Sequence, residues 1–381
     1  MRVRVGRELR SALSWPLLLP TAALLVFGLV ALSGVHIRVA TGWWDDLHWT
    51  QLTGTAVGFA ASAVLILVPY KAIVARAYLF YGLNLMLLVL VLVVGVKRNE
   101  AKRWLTVFGF DFQPSELMKL TLVITLARFV RFKSSYKTFR GLGAPFLLTL
   151  IPMALILKQP DLGTALICIP ILFTMLFVAG ARPRHLLTIV VLGVIAIYPV
   201  YRWGLKDYQR DRINGYLVQL HLMKGEEKEM EQKENYQVSR AKIAIGAGGW
   251  TGASDDGKRA VFRVPERHND FVFAAVGNDW GLWGAILLLG LMGWLLVAVL
   301  MVALRQRDPA GRLICVGVFA LFGFQTFINL AMNIGLMPVT GMTLPFISYG
   351  RSSIVVSMLA VALVCNVASR PSYEFGRGDF D

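Results

Sequence analysis

The feature that most limits what this chain can become is a series of apolar blocks, each about as long as a bilayer is thick. Leu17 to Leu32, Leu52 to Pro69 and Tyr78 to Gly95 are almost free of charge. So are Leu162 to Gly180, Leu186 to Val200, Phe271 to Leu304, Leu313 to Met332 and Leu344 to Val367. A helix crossing a hydrocarbon core of ~30 Å needs about 20 such residues. Two further blocks are less plain: Leu117 to Val130 holds Lys119 and Arg128, and Phe146 to Leu157 is short and contains Pro152. With both counted, the pattern predicts an all-α integral membrane protein, a polytopic bundle of about ten transmembrane helices. Composition agrees. Of the 381 residues 56% are hydrophobic and 16% charged, whereas a soluble domain carries about 25% charged residues.

The net charge of +16 would suit nucleic acid in a soluble chain. In a membrane chain, Lys and Arg instead hold loops on the cytoplasmic side, so the expected surroundings are membrane lipid and not nucleic acid. Arg2, Arg4, Arg7 and Arg10 precede the first block, which lacks a small-residue cleavage site and reads as the first span. The N-terminus is then cytoplasmic. The inner loops carry Lys71, Arg76, Arg131, Lys133, Lys137, Arg140, Arg182, Arg184, Arg305, Arg307 and Arg312, and an even number of spans puts both termini inside. One short outer loop, with Lys97, Arg98, Lys102 and Arg103, breaks the charge rule. Cys168, Cys315 and Cys365 lie inside apolar blocks and suggest neither a disulfide framework nor a metal site.

The spans are closely joined except once. Residues 203–270 form a large extracytoplasmic loop between spans seven and eight, and 1–381 reads as a single membrane domain. The loop begins with Tyr208-Gln209-Arg210-Asp211-Arg212 and holds a charged run, Lys224 to Glu234. Tyr236 to Ile245 follows, amphipathic and expected to be helical, ended by Gly246, Gly248, Gly249 and Gly252. It closes at Val264-Pro265-Glu266-Arg267-His268-Asn269-Asp270, against the next span.

Four constellations could carry chemistry. In Glu266-Arg267-His268-Asn269-Asp270, four ionisable groups crowd the mouth of a span. A carboxylate withdrawn from water beside an Arg and a His is suited to general-base work, and ionisable groups near membrane depth are costly to keep. In Lys158-Gln159-Pro160-Asp161, Asp161 is placed to cap the next helix, and Lys158 to anchor it or bind an anion. In Lys102-Arg103-Trp104 with Gln113-Pro114-Ser115-Glu116, the cations suit a phosphate or pyrophosphate head group. Trp104 fits an interfacial anchor or a sugar platform, and Glu116 and Lys119, at i,i+3, are spaced to pair. In the last, Leu344 to Ser353, Pro345, Gly350, Ser348, Ser352 and Arg351 suggest a broken helix entry lining a cavity.

These blocks, in this order, closely resemble the SEDS family (shape, elongation, division and sporulation). The resemblance runs from about Trp104 to Asn366. It rests on Arg103-Trp104, Gln113-Pro114-Ser115-Glu116, Gln159-Pro160-Asp161-Leu162-Gly163-Thr164, Ala244-Ile245-Gly246, Pro265-Glu266-Arg267-His268, Asn333-Ile334-Gly335, Met337-Pro338-Val339-Thr340-Gly341 and Leu344-Pro345-Phe346-Ile347-Ser348-Tyr349-Gly350. It implies a peptidoglycan glycosyltransferase of the bacterial cytoplasmic membrane, polymerising lipid II at the outer leaflet. The family's essential carboxylate maps to Asp270. Substrate-binding candidates are Lys102, Arg103, Trp104, Glu116, Lys158, Asp161, Glu266, Arg267, His268, Ser348 and Ser352.

The short tails and Gln159 to Gly163 resemble the elongation branch, RodA-like, more than the division branch, FtsW-like. The implied partner is a class B penicillin-binding protein supplying the transpeptidase. A divalent cation, Mg or Mn, would share in binding pyrophosphate, although the sequence shows no metal signature of its own. The sequence departs from the family pattern at Asn269, Asn278-Asp279 and Arg351 and along Lys224 to Glu234. The competing readings are a lipid II flippase and a recruiting scaffold. A flippase needs polar groups spread along a transmembrane path, and here most cluster at the outer mouth.

Overall fold

The computed structural model describes residues 15–36, 46–98, 101–107, 110–131, 138–204, 210, 214, 233–254, 264 and 266–370. The helices in chain order are α1 (Trp15–His36), α2 (Asp46–Leu67), the short α3 (Tyr70–Ala75), α4 (Ala77–Val94), α5 (Pro114–Val130) and α6 (Gly143–Lys158). They continue as α7 (Leu162–Val178), α8 (Pro183–Pro199), α9 (Lys233–Gly248), α10 (Val272–Arg305), α11 (Pro309–Asn333) and α12 (Arg351–Ser369). Eight are long and apolar enough to cross a membrane, among them Arg140–Lys158, which contains the expected Phe146 to Leu157 block with its internal Pro152. α7 is a shorter apolar helix of 17 residues. α5, also 17 residues, runs through the middle of the bundle, with nearly everything from Pro114 to Ala127 buried. Among the described residues eight helices are thus long and apolar enough to span, and α5 and α7 occupy the two remaining apolar blocks as shorter helices, all in the predicted order.

α5 begins with Pro114, whose fixed φ and missing N–H suit a first helical position. α11 begins with Pro309 behind Asp308, whose carboxylate accepts from Gly311 N at 2.9 Å. α12 packs along α2, α10 against both α1 and α11, and α11 against α5 and α7. α11 and α12 are mostly enclosed, whereas α8 turns almost all of its surface outward.

Between α4 and α5 the chain forms an element the apolar pattern did not announce. It is a three-stranded antiparallel ribbon, β1 (Val96–Arg98), β2 (Ala101–Val107) and β3 (Phe110–Phe112), in order β1-β2-β3. The basic loop that broke the charge rule is this ribbon, which caps one end of a helical bundle. The side chains of Lys97 and Arg98, Pro265, and most of the charged run from Lys224 to Glu234 lie outside the described residues.

α10 is broken near its start, where Gly281 adopts φ 60° and ψ −154°. The cause is the segment after α9. Leu282 N donates to Gly249 O at 2.9 Å, Trp283 N to Trp250 O at 3.2 Å, and Ala253 N to Asn278 O at 2.8 Å. Backbone approaches backbone so closely that a Cβ on Gly281 would lie 2.6 Å from the Trp250 carbonyl carbon. A Cβ on Gly248 would lie 1.8 Å from Gly277 O. Of the glycines expected to end the loop helix, Gly249 and Gly252 lie just past its end while Gly246 and Gly248 are inside it, and the close approaches at Gly248 and Gly252 lock the segment onto the head of α10.

Candidate active site

The turn Glu266–Phe271 sits at the ribbon end of the bundle and feeds α10. Asn269 N donates to Glu266 O at 3.0 Å, and Phe271 N to the same oxygen at 3.3 Å. The side chain of Asn269 reaches back to Glu266 Oε2 at 2.7 Å. Burial of Phe271 fixes where the turn enters the bundle. Glu266 and Asp270 thus share a tight turn.

The backbone of this turn is held from outside as well. Three successive carbonyls each accept from the far end of the chain: His268 O from Tyr349 N at 2.9 Å, Asn269 O from Ser348 Oγ at 2.6 Å, and Asp270 O from Asn329 Nδ2 at 2.9 Å. The His268 ring meets Tyr349 edge to face at 5.9 Å between centroids. Ser348 is buried and also accepts from Leu344 N at 2.7 Å, so its hydroxyl ties the 334–350 crossover loop to the turn. That loop passes close by the carboxyl of Asp270. At Gly341, with φ 72°, a Cβ would lie 3.6 Å from Asp270 Oδ2.

The head of α7 forms the opposite wall. Asp161 caps the helix, accepting from Thr164 N at 3.3 Å through one carboxylate oxygen. Its other oxygen accepts from Gln113 Nε2 at 2.9 Å and Ser115 Oγ at 3.0 Å. Asp161 is therefore both the cap and the joint that fastens the start of α5 to the start of α7. Gly163, the second residue of α7, lies under the crossover loop, where a Cβ would meet Thr340 O at 2.6 Å. Arg103 on β2 donates through Nε to Gln159 O at 3.1 Å and through Nη2 to Pro160 O.

Electrostatics single out one group. Asp270 is half-buried, and its carboxyl is pushed up from 3.8 to about 7, first by withdrawal from water and then by the Glu266 carboxylate. Arg103 opposes the rise and Asp161 adds to it. Burial lowers the pKa of Arg267 from its usual value, and Asp279 opposes that.

The other expected residues fall into two sets. Lys102 on β2 and Lys158 at the end of α6 are exposed, and Trp104, Glu266, Arg267 and His268 are half-buried. Glu116 and Ser352 are buried and already engaged. Glu116 Oε1 is 2.9 Å from Lys119 Nζ, the pair the spacing predicted, and Lys119 also donates to Gln325 Oε1 at 3.2 Å. Ser352 Oγ accepts from Gln113 N at 3.0 Å and donates to Asp111 O at 3.0 Å, fastening the ribbon to α12. Among the described residues no group of three or more His, Cys, Asp or Glu stands ready to hold a metal ion. A divalent cation here would complete its shell from substrate phosphates and water, as magnesium commonly does.

Gln325 and Asn329 escaped the sequence reading, and Asn333 entered it only as part of a motif, with no role. Gln325, Asn329 and Asn333 follow each other at i,i+4 on α11. Gln325 Nε2 donates to Thr343 O at 2.9 Å, Asn329 Nδ2 to Met342 O at 2.6 Å, and Asn333 Nδ2 to Asp270 O at 3.0 Å. The signal was present, because a stripe of amides inside an apolar span is expensive unless each finds a partner.

These features define a polytopic helical membrane protein with a cluster of ionisable groups at the ribbon end of the bundle, around the half-buried carboxylates of Glu266 and Asp270. The chain belongs to the FtsW/RodA/SpoVE family, described as cell cycle proteins, whose profile matches residues 15–373. A relative from Geobacter metallireducens, named "Probable peptidoglycan glycosyltransferase FtsW", is 35% identical over 364 residues, covering 93% of this chain and 94% of that one. A relative of the same name from Methylomonas methanica is 31% identical, covering 90% of this chain and 88% of that one. Among solved structures, the rod shape determining protein RodA of Thermus thermophilus is similar with a TM-score of 0.69 at 31% identity, covering 95% of this chain and 98% of that one. A chain from a peptidoglycan synthase complex, solved in work on the structural coordination of polymerization and crosslinking, is similar with a TM-score of 0.80 at 31% identity. That match covers 95% of this chain and 99% of that one.

Proposed function

We propose that this protein is a peptidoglycan glycosyltransferase that polymerises lipid II at the outer leaflet, with Asp270 as general base. The observation that carries the reading is the state of Asp270: a carboxyl raised to about 7, on a turn whose backbone is fixed by bonds from α11 and the crossover loop. A base with a pKa near the working pH combines a useful fraction of the charged form with a real affinity for the proton. In the reaction, the acceptor sugar 4-hydroxyl oxygen forms a bond to the anomeric carbon of the donor, and its proton passes to Asp270. The bond from that carbon to the pyrophosphate oxygen breaks, and undecaprenyl pyrophosphate leaves with the electron pair.

Cations then steady the leaving group. Lys102, Lys158 and Arg267 are the groups assigned to that task, with Arg103 holding the Gln159–Pro160 turn in place and adding its charge. Trp104 and His268 serve the sugar rings. Asp161, Ser348 and Ser352 position the walls, and Glu266 tunes the base. The ribbon end of the bundle is then outward, and both termini are cytoplasmic.

The proposed partner is a class B penicillin-binding protein, a reading supported by the similarity to a chain of a peptidoglycan synthase complex. Identities of 35% to a relative named FtsW and 31% to RodA do not separate division from elongation. The elongation reading rests on the Gln159 to Gly163 motif, and is tested by asking which class B protein co-purifies with the chain. The activity itself is tested by incubating the purified protein and that partner with lipid II. Glycan strands and released undecaprenyl pyrophosphate are expected. A folded complex that instead only moved lipid II across vesicle membranes would oppose the reading.

A further inference from the structure

The three carbonyls of the Asp270 turn are held by two kinds of partner. Those of His268 and Asn269 are bound by the crossover loop itself, through Tyr349 N and Ser348 Oγ. The carbonyl of Asp270 is bound by two amides of α11, Asn329 Nδ2 at 2.9 Å and Asn333 Nδ2 at 3.0 Å, which matches its two lone pairs.

Neither amide serves Asp270 alone. Asn329 Nδ2 also donates to Met342 O at 2.6 Å, so one NH2 group bridges the carbonyl of the base to the residue beside Gly341. Gly341 is the point at which the crossover loop passes the Asp270 carboxylate. Asn333 spends its amide nitrogen on Asp270 O and on Asn329 O at 2.9 Å, and its carbonyl Oδ1 accepts from Ala274 N at 3.1 Å. Ala274 is in the first turn of α10, whose N-cap position is Phe271, a residue with no side-chain cap bond. Asn333 therefore caps α10 from another helix while holding the residue just before its N-cap. Both asparagines are fully buried.

We infer that Asn329 and Asn333 are positioning residues for Asp270: together they set the direction of its side chain and its separation from the Gly341 wall, against which the acceptor hydroxyl must fit. This rests on the reading of Asp270 as the base. A purely packing role would be met as well by apolar residues of similar size, which carry no unsatisfied groups in a buried span. The amides satisfy buried backbone groups, and the one that bridges the turn to the loop wall also fixes the spacing between them. Misplacement of a reacting group by about 1 Å costs a rate on the order of a hundredfold. The charged groups that face Asp270 are Glu266 from its own turn, Arg103 from the ribbon and Asp161 from the head of α7. α11 offers it only amides, so loss of an asparagine changes position without removing a charge.

The test uses the full chain with its class B partner and lipid II, and compares Asn329→Ser, Asn333→Ser, Asp270→Ala and Asn366→Ser. Asn366 is a buried asparagine on α12 that donates to Leu65 O at 2.7 Å and Val68 O at 2.6 Å, away from this site. The expected result is a fall in kcat of about tenfold to a hundredfold for each of the first two, with KM for lipid II changed by less than about twofold, and a shifted acidic limb of the pH–rate profile. Asn366→Ser lowers thermal stability and leaves the limb where it was. Folded Asn329→Ser and Asn333→Ser proteins with the wild-type kcat and limb would overturn the inference. So would failure of both to fold while Asn366→Ser folds, which would put the pair in the service of the fold alone. If Asp270→Ala still polymerises, it is the reading of Asp270 that fails, whatever the asparagine variants do.

Discussion

Arg103 and Asp161 are joined through a single turn. The guanidinium on the ribbon donates to the carbonyls of Gln159 and Pro160, and the next residue is Asp161, which caps α7 and gathers Gln113 and Ser115. The most basic stretch of the ribbon end is in this way fixed to the wall opposite Asp270, and Arg103 acts on that carboxyl electrostatically.

Replacing Arg103 by Lys keeps the charge and loses the planar fork that reaches two carbonyls at once. The variant is expected to raise KM for lipid II several-fold, with a smaller effect on kcat, and to lower the melting temperature modestly. Steady-state polymerisation kinetics and a thermal melt check both. An Arg103→Lys protein indistinguishable from wild type would remove the fork from the account.

Glu266 raises the Asp270 carboxyl toward 7. A general base works when deprotonated, so the rate should climb as pH rises through about 7. Glu266→Gln keeps an acceptor for Asn269 Nδ2 and removes the repelling charge. Its acidic limb should lie at lower pH, making the variant relatively faster below neutrality. A limb that stays put or moves up would show that the Glu266 charge does not raise the base.

The same shift has a consequence for stability. A carboxyl raised in the folded state favours folding at pH values below its unfolded pKa, near 3.8, and loses that contribution as pH rises through about 7. Asp270→Asn cannot ionise. Its melting temperature should exceed that of the wild type at pH 8, with the gap closing as pH falls toward 4. Thermal melts across that range measure it, and a constant gap would argue against the shifted titration.

Two glycines of α9 make a matched pair for the packing claim. Gly246 has open space where a Cβ would go, whereas at Gly248 that Cβ would lie 1.8 Å from Gly277 O. Gly248→Ala should destabilise by about 2 kcal/mol or more, and Gly246→Ala should be neutral or slightly stabilising. Equal melting temperatures for the two would contradict the close approach of α9 to α10.

Much of this was legible in the chain, because the bilayer imposes a length on each span and the apolar blocks record it. The eight helices long enough to span, the helices at the other two apolar blocks, the helix at Tyr236 to Ile245, the capping role of Asp161 and the Glu116–Lys119 pair follow from local rules of period, capping and spacing. The ribbon did not, since its strands are only 3, 7 and 3 residues long and polar enough to read as loop. Ser348 and Ser352 drew attention as possible ligand groups. Their hydroxyls turn out to bind backbone from 79 and 241 residues away along the chain, partners that no local pattern encodes. The amides of Asn329 and Asn333 were visible as a costly polar stripe in an apolar span, but their partners were not. Only the folded chain shows that a polar stripe on α11 ends at the carbonyl of Asp270.

The central claim is that one carboxylate accepts the proton of the attacking sugar hydroxyl. It is met most directly by comparing wild type with Asp270→Ala, each purified with the same class B partner and given lipid II, and reading the amount and length of the glycan. Polymerisation should fall by about a hundredfold to ten-thousandfold in the variant while the complex stays assembled. Strands of equal yield and length from both proteins would contradict the account.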